Sequence, residues 1–366
     1  MRKGDGKINY DKRCAALVDK IDTDAFLVLN IEGSDRVSLF YLTGFTGEGA
    51  LLVTREEAFL VTDSRYTEQA KREVPELPLV RVDEPYLDRV TALCRERRIS
   101  QITFASARMS HATVLKLRDL FKGELVALSD PVADLRLIKE PEEIEKIRAA
   151  VRLTENSFTE LMGEIRVGVS ERELALRLEF IMREKGAKKV SFDLIVAAGE
   201  NSALPHYQPG TRRTKEGDLL LFDIGAQLNG YCADMTRVLA VGKVPAQLRE
   251  IYDLVLAANK AGIAAVRAGE KGVAIDEIAR DLIAQAGHKE HFGHGLGHGV
   301  GLEVHEGPRL SPLSKDTLQA GMTVTVEPGV YLPGLGGVRI EDLVVVTEEG
   351  CEVLTSLPKD RLIEVG

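Results

Sequence analysis

The sequence predicts an α+β protein of two domains, a smaller α/β domain followed by a larger domain of helices and strands. Its 366 residues exceed what one hydrophobic core of ordinary size accommodates. Short apolar runs alternate with helix-like periodicity between residues 22 and 135, which is typical of an α/β domain. The pattern changes near Asp130-Pro131, ahead of a long helix. We therefore expect domains at residues 1–135 and 136–366.

The elements of the first domain follow from apolar runs of strand length and from apolar spacings of three and four. Strands are predicted at residues 25–29, 50–54, 58–62 and 101–105. Helices are predicted at residues 66–74, 87–97 and 111–121. No cluster of residues with catalytic chemistry stands out in this part of the sequence.

The second domain opens with a helix at Pro141, because proline suits the first helical turn and the acids after it complement the helix dipole. Apolar residues then recur at steps of three and four as far as Ile165. Ser170 and Glu173 form a capping-box pattern for a second helix. Further helices are predicted at 247–267 and 275–286, and strands at 192–197, 323–327, 338–340 and 343–347.

Composition argues against several classes of function. The net charge is −9 and the chain has no basic run, so we expect no nucleic-acid partner. Cys14, Cys94, Cys232 and Cys351 are scattered, which argues against a thiolate zinc site and a disulfide framework and fits a reducing compartment. The first residues, MRKGDGKINYDKR, lack the apolar core of a signal peptide, and no apolar run approaches membrane-spanning length. We therefore expect a cytoplasmic protein without a membrane partner.

Two aspartates lie in an apolar hairpin, GDLLLFDIGAQLNGYCADMTR, at residues 217–237. Asn229-Gly230 between two strand-like runs is a strong hairpin signal. With these residues at the turn centre, Asp223 lies opposite Thr236, and Asp234 lies on the same face within side-chain reach. Two buried carboxylates need a cation between them. A metal ion could supply it, but the aspartates could equally serve as turn or cap residues or pair with Arg237.

A second unusual stretch, FGHGLGHGVGLEVHE at residues 292–306, contains five glycines and three histidines. Glycines allow positive φ and close approach of the backbone. The pattern G-x-G-x-x-G is absent, and no G-K-[ST] follows, so a phosphate loop is disfavoured. His294 and His298 have the separation of a helical zinc motif, but the glycines between them disfavour a helix and the glutamate of that motif is missing. A binding site is favoured over isolated structural histidines.

Two glutamates follow at strand ends. Glu327 ends the alternating run TVTVE before Pro328-Gly329, and Glu341 lies inside the apolar run VRIEDLVVV. An unpaired charge there costs several kcal/mol. A salt bridge, for example between Glu341 and Arg339, could account for either residue alone.

Taken together, these residues form an oxygen-rich ligand set with one imidazole: Asp223, Asp234, His298, Glu327 and Glu341. Two adjacent divalent ions that share carboxylates would neutralise all four acids at once. A single ion would leave acids without a cation. The sequence therefore predicts a site for two divalent metal ions.

The chain resembles the pita-bread metallopeptidases, the family that includes aminopeptidase P, prolidase and methionine aminopeptidase. The matching blocks are FDLIVAAGENSALPHY, GDLLLFDIGAQLNGYCADMTR, FGHGLGHGVGLEVHEGP, TVTVEPGVY and GVRIEDLVVV. YLTGFTGEGALLV and FLVTDSRYTEQA resemble the N-terminal domain of the Xaa-Pro branch. The resemblance implies a C-terminal pita-bread fold preceded by a creatinase-like α/β domain. All five metal positions are filled, unlike those of a creatinase-like member.

The resemblance also implies roles for individual residues. Asp223 would bind one ion through both oxygens, Asp234 and Glu341 would bridge the two ions, and His298 and Glu327 would complete the other. The substrate-facing histidines of the family correspond to His206, His294 and His305, and its arginine beside the last glutamate corresponds to Arg339. Cys232 shares a strand face with Asp234 and is expected to be a small buried filler and not a ligand.

The implied activity is hydrolysis of the bond between an N-terminal residue and a following proline. A hydroxide that bridges the ions would attack the carbonyl carbon. His305, assisted by His206, would stabilise the oxyanion, and Glu327 would pass a proton to the proline nitrogen.

We therefore expect a manganese-dependent Xaa-Pro aminopeptidase that acts as a homodimer on peptides with proline second. Cobalt or zinc could replace manganese. An Xaa-Pro dipeptidase (prolidase) is the alternative, and a metal-free binding protein of the same fold is a remote one.

Overall fold

The computed structural model describes residues 8–366, so residues 1–7 of the polar N-terminal segment lie outside the described part of the chain. The chain divides between Arg136 and Leu137 into two compact units, called here the N-terminal unit and the C-terminal unit. Each predicted strand and helix is present, with ends shifted by up to three residues. Within residues 8–366, no helix combines the length and the apolar character that crossing a membrane requires.

The N-terminal unit is a mixed six-stranded sheet with helices between its strands. The strands are β1 (Ala25–Asn30), β2 (Gly49–Thr54), β3 (Ala58–Asp63), β4 (Leu79–Val82), β5 (Gln101–Ala105) and β6 (Glu124–Leu128). The helices are α1 (Tyr10–Val18), α2 (Arg36–Thr43), α3 (Thr67–Glu73), α4 (Tyr86–Glu96), α5 (His111–Leu120) and α6 (Pro131–Arg136). The strand order is β4-β3-β2-β1-β5-β6, with β1–β2 and β2–β3 antiparallel and the other pairs parallel.

The C-terminal unit is built from two larger sheets, two small sheets and four long helices. The helices are α7 (Pro141–Met162), α8 (Glu171–Glu184), α9 (Ala246–Ala265) and α10 (Gly272–Gln285). The four-stranded sheet has the order β20-β12-β9-β8, with β8 (Ile195–Ala198), β9 (Leu219–Ile224), β12 (Met235–Val241) and β20 (Ile363–Val365). The five-stranded sheet has the order β14-β13-β15-β18-β19, with β13 (Gly297–Gly299), β14 (Glu306–Leu310), β15 (Thr323–Val326), β18 (Asp342–Val346) and β19 (Cys351–Val353). The small sheets contain β7 (Lys189–Val190), β10 (Ala226–Leu228) and β11 (Tyr231–Cys232), and β16 (Gly329–Leu332) and β17 (Gly336–Arg339).

The four-stranded sheet is buried on both faces, which explains the continuous apolar run of β9. Leu220 and Phe222 pack into one core with α7 and α8. Leu219 and Leu221 pack into a second core with α9, α10 and the five-stranded sheet. Alternate residues of a strand point to opposite faces. The carboxylate of Asp223, next to the last residue of this strand, therefore lies between packed layers.

Helices α7 and α8 both begin with a capping box, and the box of α8 was predicted from the sequence. Glu140 and Glu143 form a capping box with Pro141 in the first turn of α7. Ser170 and Glu173 form the box of α8, in which the Glu173 N–H donates to Ser170 Oγ at 3.2 Å and the Ser170 N–H donates to Glu173 Oε2 at 2.8 Å. Two otherwise unpaired backbone donors are satisfied in such a box.

The hairpin register predicted from the sequence is confirmed. Asn229 and Gly230 have φ of 52° and 89°, as the two central residues of a type I′ turn require. Antiparallel pairing of β9 and β12 places Asp223 opposite Thr236. The same register brings Gly225 opposite Asp234. Both aspartates are therefore presented by one two-stranded ribbon.

Replacing Gly225 with alanine should destabilise the C-terminal unit. A Cβ atom there would lie 2.0 Å from the Ala233 carbonyl oxygen, and a backbone atom cannot move aside cheaply. Overpacking of this kind costs about 1–3 kcal/mol, which lowers the Tm by roughly 2–12 °C for a unit of this size. Thermal unfolding of the metal-free protein measures the change. Gly350→Ala is the control, because a Cβ atom there meets nothing within 4 Å, and equal melting of the two variants would refute the close packing of the ribbon.

Candidate metal centre

The five predicted ligands converge in the C-terminal unit, although they come from distant parts of the sequence. Asp223 lies in β9, Asp234 just before β12, His298 in β13, Glu327 just after β15 and Glu341 just before β18. All five line a cavity of about 490 Å³. Asp234, His298 and Glu341 each offer a ligand atom, and these atoms lie within 4.8 Å of one another. The three are buried.

Neither of the two salt bridges considered as an alternative to a metal site is formed. Arg237 pairs with Asp342 at 2.9 Å, and not with either hairpin aspartate. Arg339 pairs with Asp223 Oδ2 at 2.6 Å, and not with Glu341. The Thr236 hydroxyl donates to Glu341 Oε2 at 2.7 Å. Asp234 and Glu341 therefore lack an arginine or lysine partner within the described residues.

The electrostatics of the cluster are those of a site that needs added positive charge. Burial, and next the charge of Glu341, raise the pKa of Asp234 well above its usual value. Burial, followed by the charges of Glu327 and Asp223, does the same to Glu341. Asp223 Oδ1 and Asp234 Oδ1 are buried and accept no hydrogen bond from residues 8–366. Buried carboxylate oxygens rarely lack a partner.

The residues present fit two divalent cations. Two orphaned oxygens, further carboxylate oxygens and one imidazole form a hard donor set, which suits manganese and related ions. Cations between the acids would remove their mutual repulsion and satisfy Asp223 Oδ1 and Asp234 Oδ1.

Hydrogen bonds orient His298 and Glu327 toward the cavity. His298 Nδ1 lies 3.1 Å from the Gly299 carbonyl, which can only accept, so Nδ1 carries a proton and Nε2 is the ring nitrogen that faces the carboxylates. Nε2 lies 3.3 Å from Glu327 Oε1 and 3.6 Å from Asp234 Oδ2. Thr325 Oγ1 donates to Glu327 Oε1 at 3.2 Å and accepts from the His298 N–H at 3.0 Å. Burial raises the pKa of Glu327, but its hydrogen bond to His298 and the charges of His298, His294 and Arg339 together outweigh burial and lower the pKa to about 2.

A chain of hydrogen bonds connects the Asp223 carboxylate with His294. Arg339 donates to Asp223 and also, at 2.8 Å, to the Tyr331 hydroxyl. That hydroxyl lies 2.8 Å from His294 Nε2. His294 Nδ1 lies 2.8 Å from the Gly295 carbonyl, so Nδ1 donates and Nε2 accepts from Tyr331. Burial raises the pKa of Tyr331 to about 12, which keeps its hydroxyl protonated as a donor.

A second buried network fixes the backbone beneath Glu341. Arg237 donates to the carbonyls of Thr236 and Glu341 and to the Asp342 carboxylate. Asp342 also accepts from Thr355 at 2.7 Å and from Lys359. Burial would raise the pKa of Asp342, but the charges of Arg237 and Lys359 outweigh it and hold the pKa below its usual value. Partners of this kind tune ligand orientation.

The glycines of residues 293–301 permit close approach between neighbouring strands. A Cβ atom on Gly297 would lie 1.9 Å from the Thr325 carbonyl oxygen, and one on Gly299 would lie 1.9 Å from that of Gly307. The short strand β13 therefore fits between β14 and β15 only as Gly-His-Gly. These glycines let His298 enter the cavity from the middle of the sheet.

The three predicted substrate-facing histidines also line the cavity. His206 is exposed on the loop after β8, and His305 is exposed in the segment before β14. The His305 ring packs edge-on against His298, with centroids 4.3 Å apart. Burial, and next the charge of His298, lower the pKa of His305 to about 4. At neutral pH this imidazole is uncharged and can donate one N–H.

Three residues in or beside the site, Thr236, Tyr331 and Arg309, were missed by sequence reasoning. Thr236 could have been found, because the predicted register already placed it opposite Asp223. Tyr331 and Arg309 carry no local signal. Tyr331 contacts His294, 37 residues away, and Arg309 lines the cavity on a strand that pairs with β13. Cys232 is buried, and its thiol lies 3.7 Å from the Leu302 carbonyl, consistent with a filler.

Each of the two units matches a known protein family. Residues 145–348 match metallopeptidase family M24, and residues 12–138 match the creatinase/prolidase N-terminal domain. An uncharacterized peptidase of Bacillus subtilis, YqhT, is 39% identical over 340 residues, which cover 92% of this chain and 96% of the relative. The Xaa-Pro dipeptidase of Pyrococcus furiosus is 38% identical over 329 residues, which cover 89% of this chain and 93% of the relative.

Solved structures superpose closely on the whole chain. An X-Pro aminopeptidase from Thermotoga maritima has a TM-score of 0.91 at 39% identity, covering 95% of this chain and 99% of that one. An Xaa-Pro dipeptidase from Bacillus anthracis has a TM-score of 0.92 at 39% identity, covering 98% of this chain and 100% of that one. The predicted pita-bread fold with a creatinase-like N-terminal domain is thereby confirmed.

The family match covers more than half of the chain and includes all five residues of the cluster. M24 enzymes depend on a dinuclear metal centre, and the cluster described here has the donors for one. The chain belongs to metallopeptidase family M24, the pita-bread metallopeptidases, and is a metallo-exopeptidase.

Proposed function

We propose that this enzyme is an Xaa-Pro dipeptidase, which cleaves dipeptides whose second residue is proline. Two relatives that resemble it over nearly their whole length bear that name, one from Pyrococcus furiosus and one from Bacillus anthracis. The observation that carries the proposal is the position of Arg309 on the cavity wall.

Arg309 is an exposed cation with no carboxylate partner within 4.0 Å among residues 8–366. It lies in β14 and lines the same cavity as the five clustered ligands. A dipeptide presents a free carboxylate on its proline, and arginine binds carboxylates through a planar, two-pronged donor set. A longer peptide has an uncharged peptide bond at that position. Arg309 therefore favours the dipeptide.

The proposed ligands of the two ions are Asp223, Asp234, His298, Glu327 and Glu341. When bound, such ions supply a water molecule whose pKa is lowered toward about 7 and which can attack a carbonyl carbon at neutral pH. The neutral His305 donates an N–H to the developing oxyanion, and His206 assists it. Glu327 Oε1 already contacts Thr325 and His298, so Oε2 is the atom proposed to move a proton to the proline nitrogen. Arg339 and His294 hold Asp223 and Tyr331 in place.

Comparing a dipeptide with a tripeptide tests the assignment. With manganese supplied, we expect kcat/KM for an Xaa-Pro dipeptide to exceed that for the matching tripeptide by at least about tenfold, because a charge-assisted hydrogen bond contributes about 1.5–3 kcal/mol. Arg309→Gln should remove this advantage, mainly by raising the KM for the dipeptide. Arg361→Gln, at an exposed arginine that does not line the cavity, is the matched control.

An Xaa-Pro aminopeptidase is the second candidate, because the Thermotoga maritima structure that bears that name is equally similar. Equal or faster cleavage of the tripeptide, together with no effect of Arg309→Gln, would establish this function in place of the first. Loss of cleavage of both substrates in every preparation would refute both.

We propose manganese as the native ion, because the donor set is rich in oxygen, with cobalt or zinc as substitutes. We propose that the domains span residues 1–135 and 136–366, and that the enzyme is a cytoplasmic homodimer acting on proline-containing peptides.

A further inference from the structure

The loop that carries His206 has little regular structure of its own. It follows β8 with a 3-10 turn at Gly199–Ala203 and continues without helix or strand until β9 begins. His206 and Tyr207 of this loop line the cavity. A histidine on such a loop can act on substrate only if other parts of the fold hold the loop in place.

The Glu171 carboxylate holds this loop at four points. Oε1 accepts from the Ala198 N–H at 2.8 Å and from the Asn201 side-chain amide at 2.9 Å. Oε2 accepts from the Tyr207 hydroxyl at 2.8 Å and from the Gly210 N–H at 3.2 Å. All four donors belong to the segment 198–210. One side chain therefore connects the beginning, the middle and the end of the loop.

The Glu171 carboxylate is fully buried and has no lysine, arginine or histidine within 4.0 Å among the described residues. A buried carboxylate is tolerated when several hydrogen bonds and a helix N-terminus stabilise it. Glu171 is the first residue of α8, and its own N–H and that of Arg172 donate to the carbonyls of Arg212 and Gly210 at 3.0 Å. The start of the helix and the end of the loop are thus joined by both backbone and side chain.

Helix capping does not account for Glu171. Ser170 and Glu173 already form the capping box of α8, and the Glu173 side chain is 57% exposed. The Glu171 carboxylate instead accepts its hydrogen bonds from the loop. The same loop also contacts the site directly, since Ser202 Oγ accepts from the Gly337 N–H at 2.7 Å and the Pro205 carbonyl lies 3.5 Å from Arg339.

We propose that Glu171 is a positioning residue that holds His206 and Tyr207 toward the substrate. The proposal rests on the proposed role of His206 in peptide hydrolysis. Glutamine at this position offers one acceptor oxygen in place of two, and its NH₂ group would face two donors. The loop should therefore shift, and a displacement of about 1 Å in a catalytic group can reduce the rate about 100-fold.

Hydrogen exchange of the metal-free protein tests the hold on the loop independently of activity. In Glu171→Gln, amides of residues 199–210 should exchange at least about tenfold faster, while α9 and β12 exchange as in the wild type. Glu173→Gln is the matched control, two residues away on the same helix, and should leave the loop unchanged. Unchanged exchange of residues 199–210 in Glu171→Gln would overturn the proposal.

A double-mutant cycle on an Xaa-Pro dipeptide tests whether Glu171 acts through the loop histidine. Glu171→Gln should lower kcat/KM about 10- to 100-fold in the wild-type background but much less in a His206→Ala background. If Glu171→Gln caused only a general structural defect, the losses of kcat/KM from the two substitutions would multiply, and this result would overturn the proposal. If Glu171→Gln fails to fold, Tyr207→Phe takes its place, because it removes only one of the four hydrogen bonds. This variant should lower kcat/KM by a smaller factor. An unchanged kcat/KM would count against the proposal.

The two experiments separate this inference from the proposed function. If the wild-type enzyme cleaves no Xaa-Pro peptide, the proposed function fails, while the exchange comparison still decides whether Glu171 holds the loop. If the wild type is active and Glu171→Gln matches it in exchange and in kcat/KM, only the inference fails.

Discussion

Glu341→Gln should reduce kcat/KM for an Xaa-Pro dipeptide by about 10³-fold or more. The variant keeps the size of the side chain and an oxygen for the Thr236 hydroxyl, but it removes the negative charge from the middle of the ligand cluster. Metal ions contribute several kcal/mol of transition-state stabilisation in sites of this kind, and each 1.36 kcal/mol corresponds to a factor of about ten in rate. Steady-state kinetics with saturating manganese, together with metal content per chain, measure the loss.

The control for this variant is Glu349→Gln, at an exposed glutamate in the turn after β18. It should retain wild-type activity and metal content. Full activity in Glu341→Gln would contradict the assignment of Glu341 as a ligand, and two ions per chain in an inactive variant would restrict its role to the chemical step.

Metal ions should reverse the effect of Glu341→Gln on stability. In the wild type, metal at 100 times its Kd adds about 2.7 kcal/mol, which raises the Tm by roughly 5–10 °C for a unit of this size. Without metal, the variant should have a higher Tm than the wild type. The reason is that burial and the neighbouring acids raise the pKa of Glu341.

The sign of the inversion follows from proton linkage. A carboxyl group whose pKa is higher in the folded protein than in the unfolded chain contributes its full stability below the unfolded pKa, and this is lost as pH rises through the folded pKa. Glutamine is neutral at every pH and escapes that loss. Thermal scans of both proteins between pH 5 and 8, with chelator and with manganese, measure it, and a metal-free wild type that is more stable than the variant throughout would refute the account.

Local sequence signals were sufficient for the hairpin because its geometry depends on neighbouring residues alone. Asn229-Gly230 sets a two-residue turn, and the alternation of apolar side chains sets the register that places Asp223 opposite Thr236. The identity of the ligands could also be predicted, since buried acids in apolar strands demand an explanation. Their convergence was inferred because two shared ions would neutralise all four acids at once, and the resemblance to a known family supported it.

Partner choice over long distances could not be predicted. The sequence allowed Arg339 to pair with Glu341, its near neighbour, but the fold directs Arg339 to Asp223 and Tyr331. Helix α2 was missed for a different reason. Its sequence, RVSLFYLT, is apolar and rich in β-formers, and the helix depends on caps at its ends, where Asp35 accepts from the Ser38 N–H and Gly44 has φ of 80°. Tertiary context overrides propensity in such segments.

The ligands are divided between the two larger sheets of the C-terminal unit. Asp223 and Asp234 belong to the ribbon of β9 and β12, whereas His298, Glu327 and Glu341 are carried by the ends and middle of β13, β15 and β18. A pair of ions held by all five would therefore act as a non-covalent cross-link between two separately hydrogen-bonded sheets, comparable to a disulfide that closes a loop from residue 223 to residue 341. Each sheet has its own strand pairing, and the two sheets share one core with α9 and α10. The ions would fix the spacing between the sheets, so the catalytic geometry of the loaded enzyme would depend on how the two sheets pack.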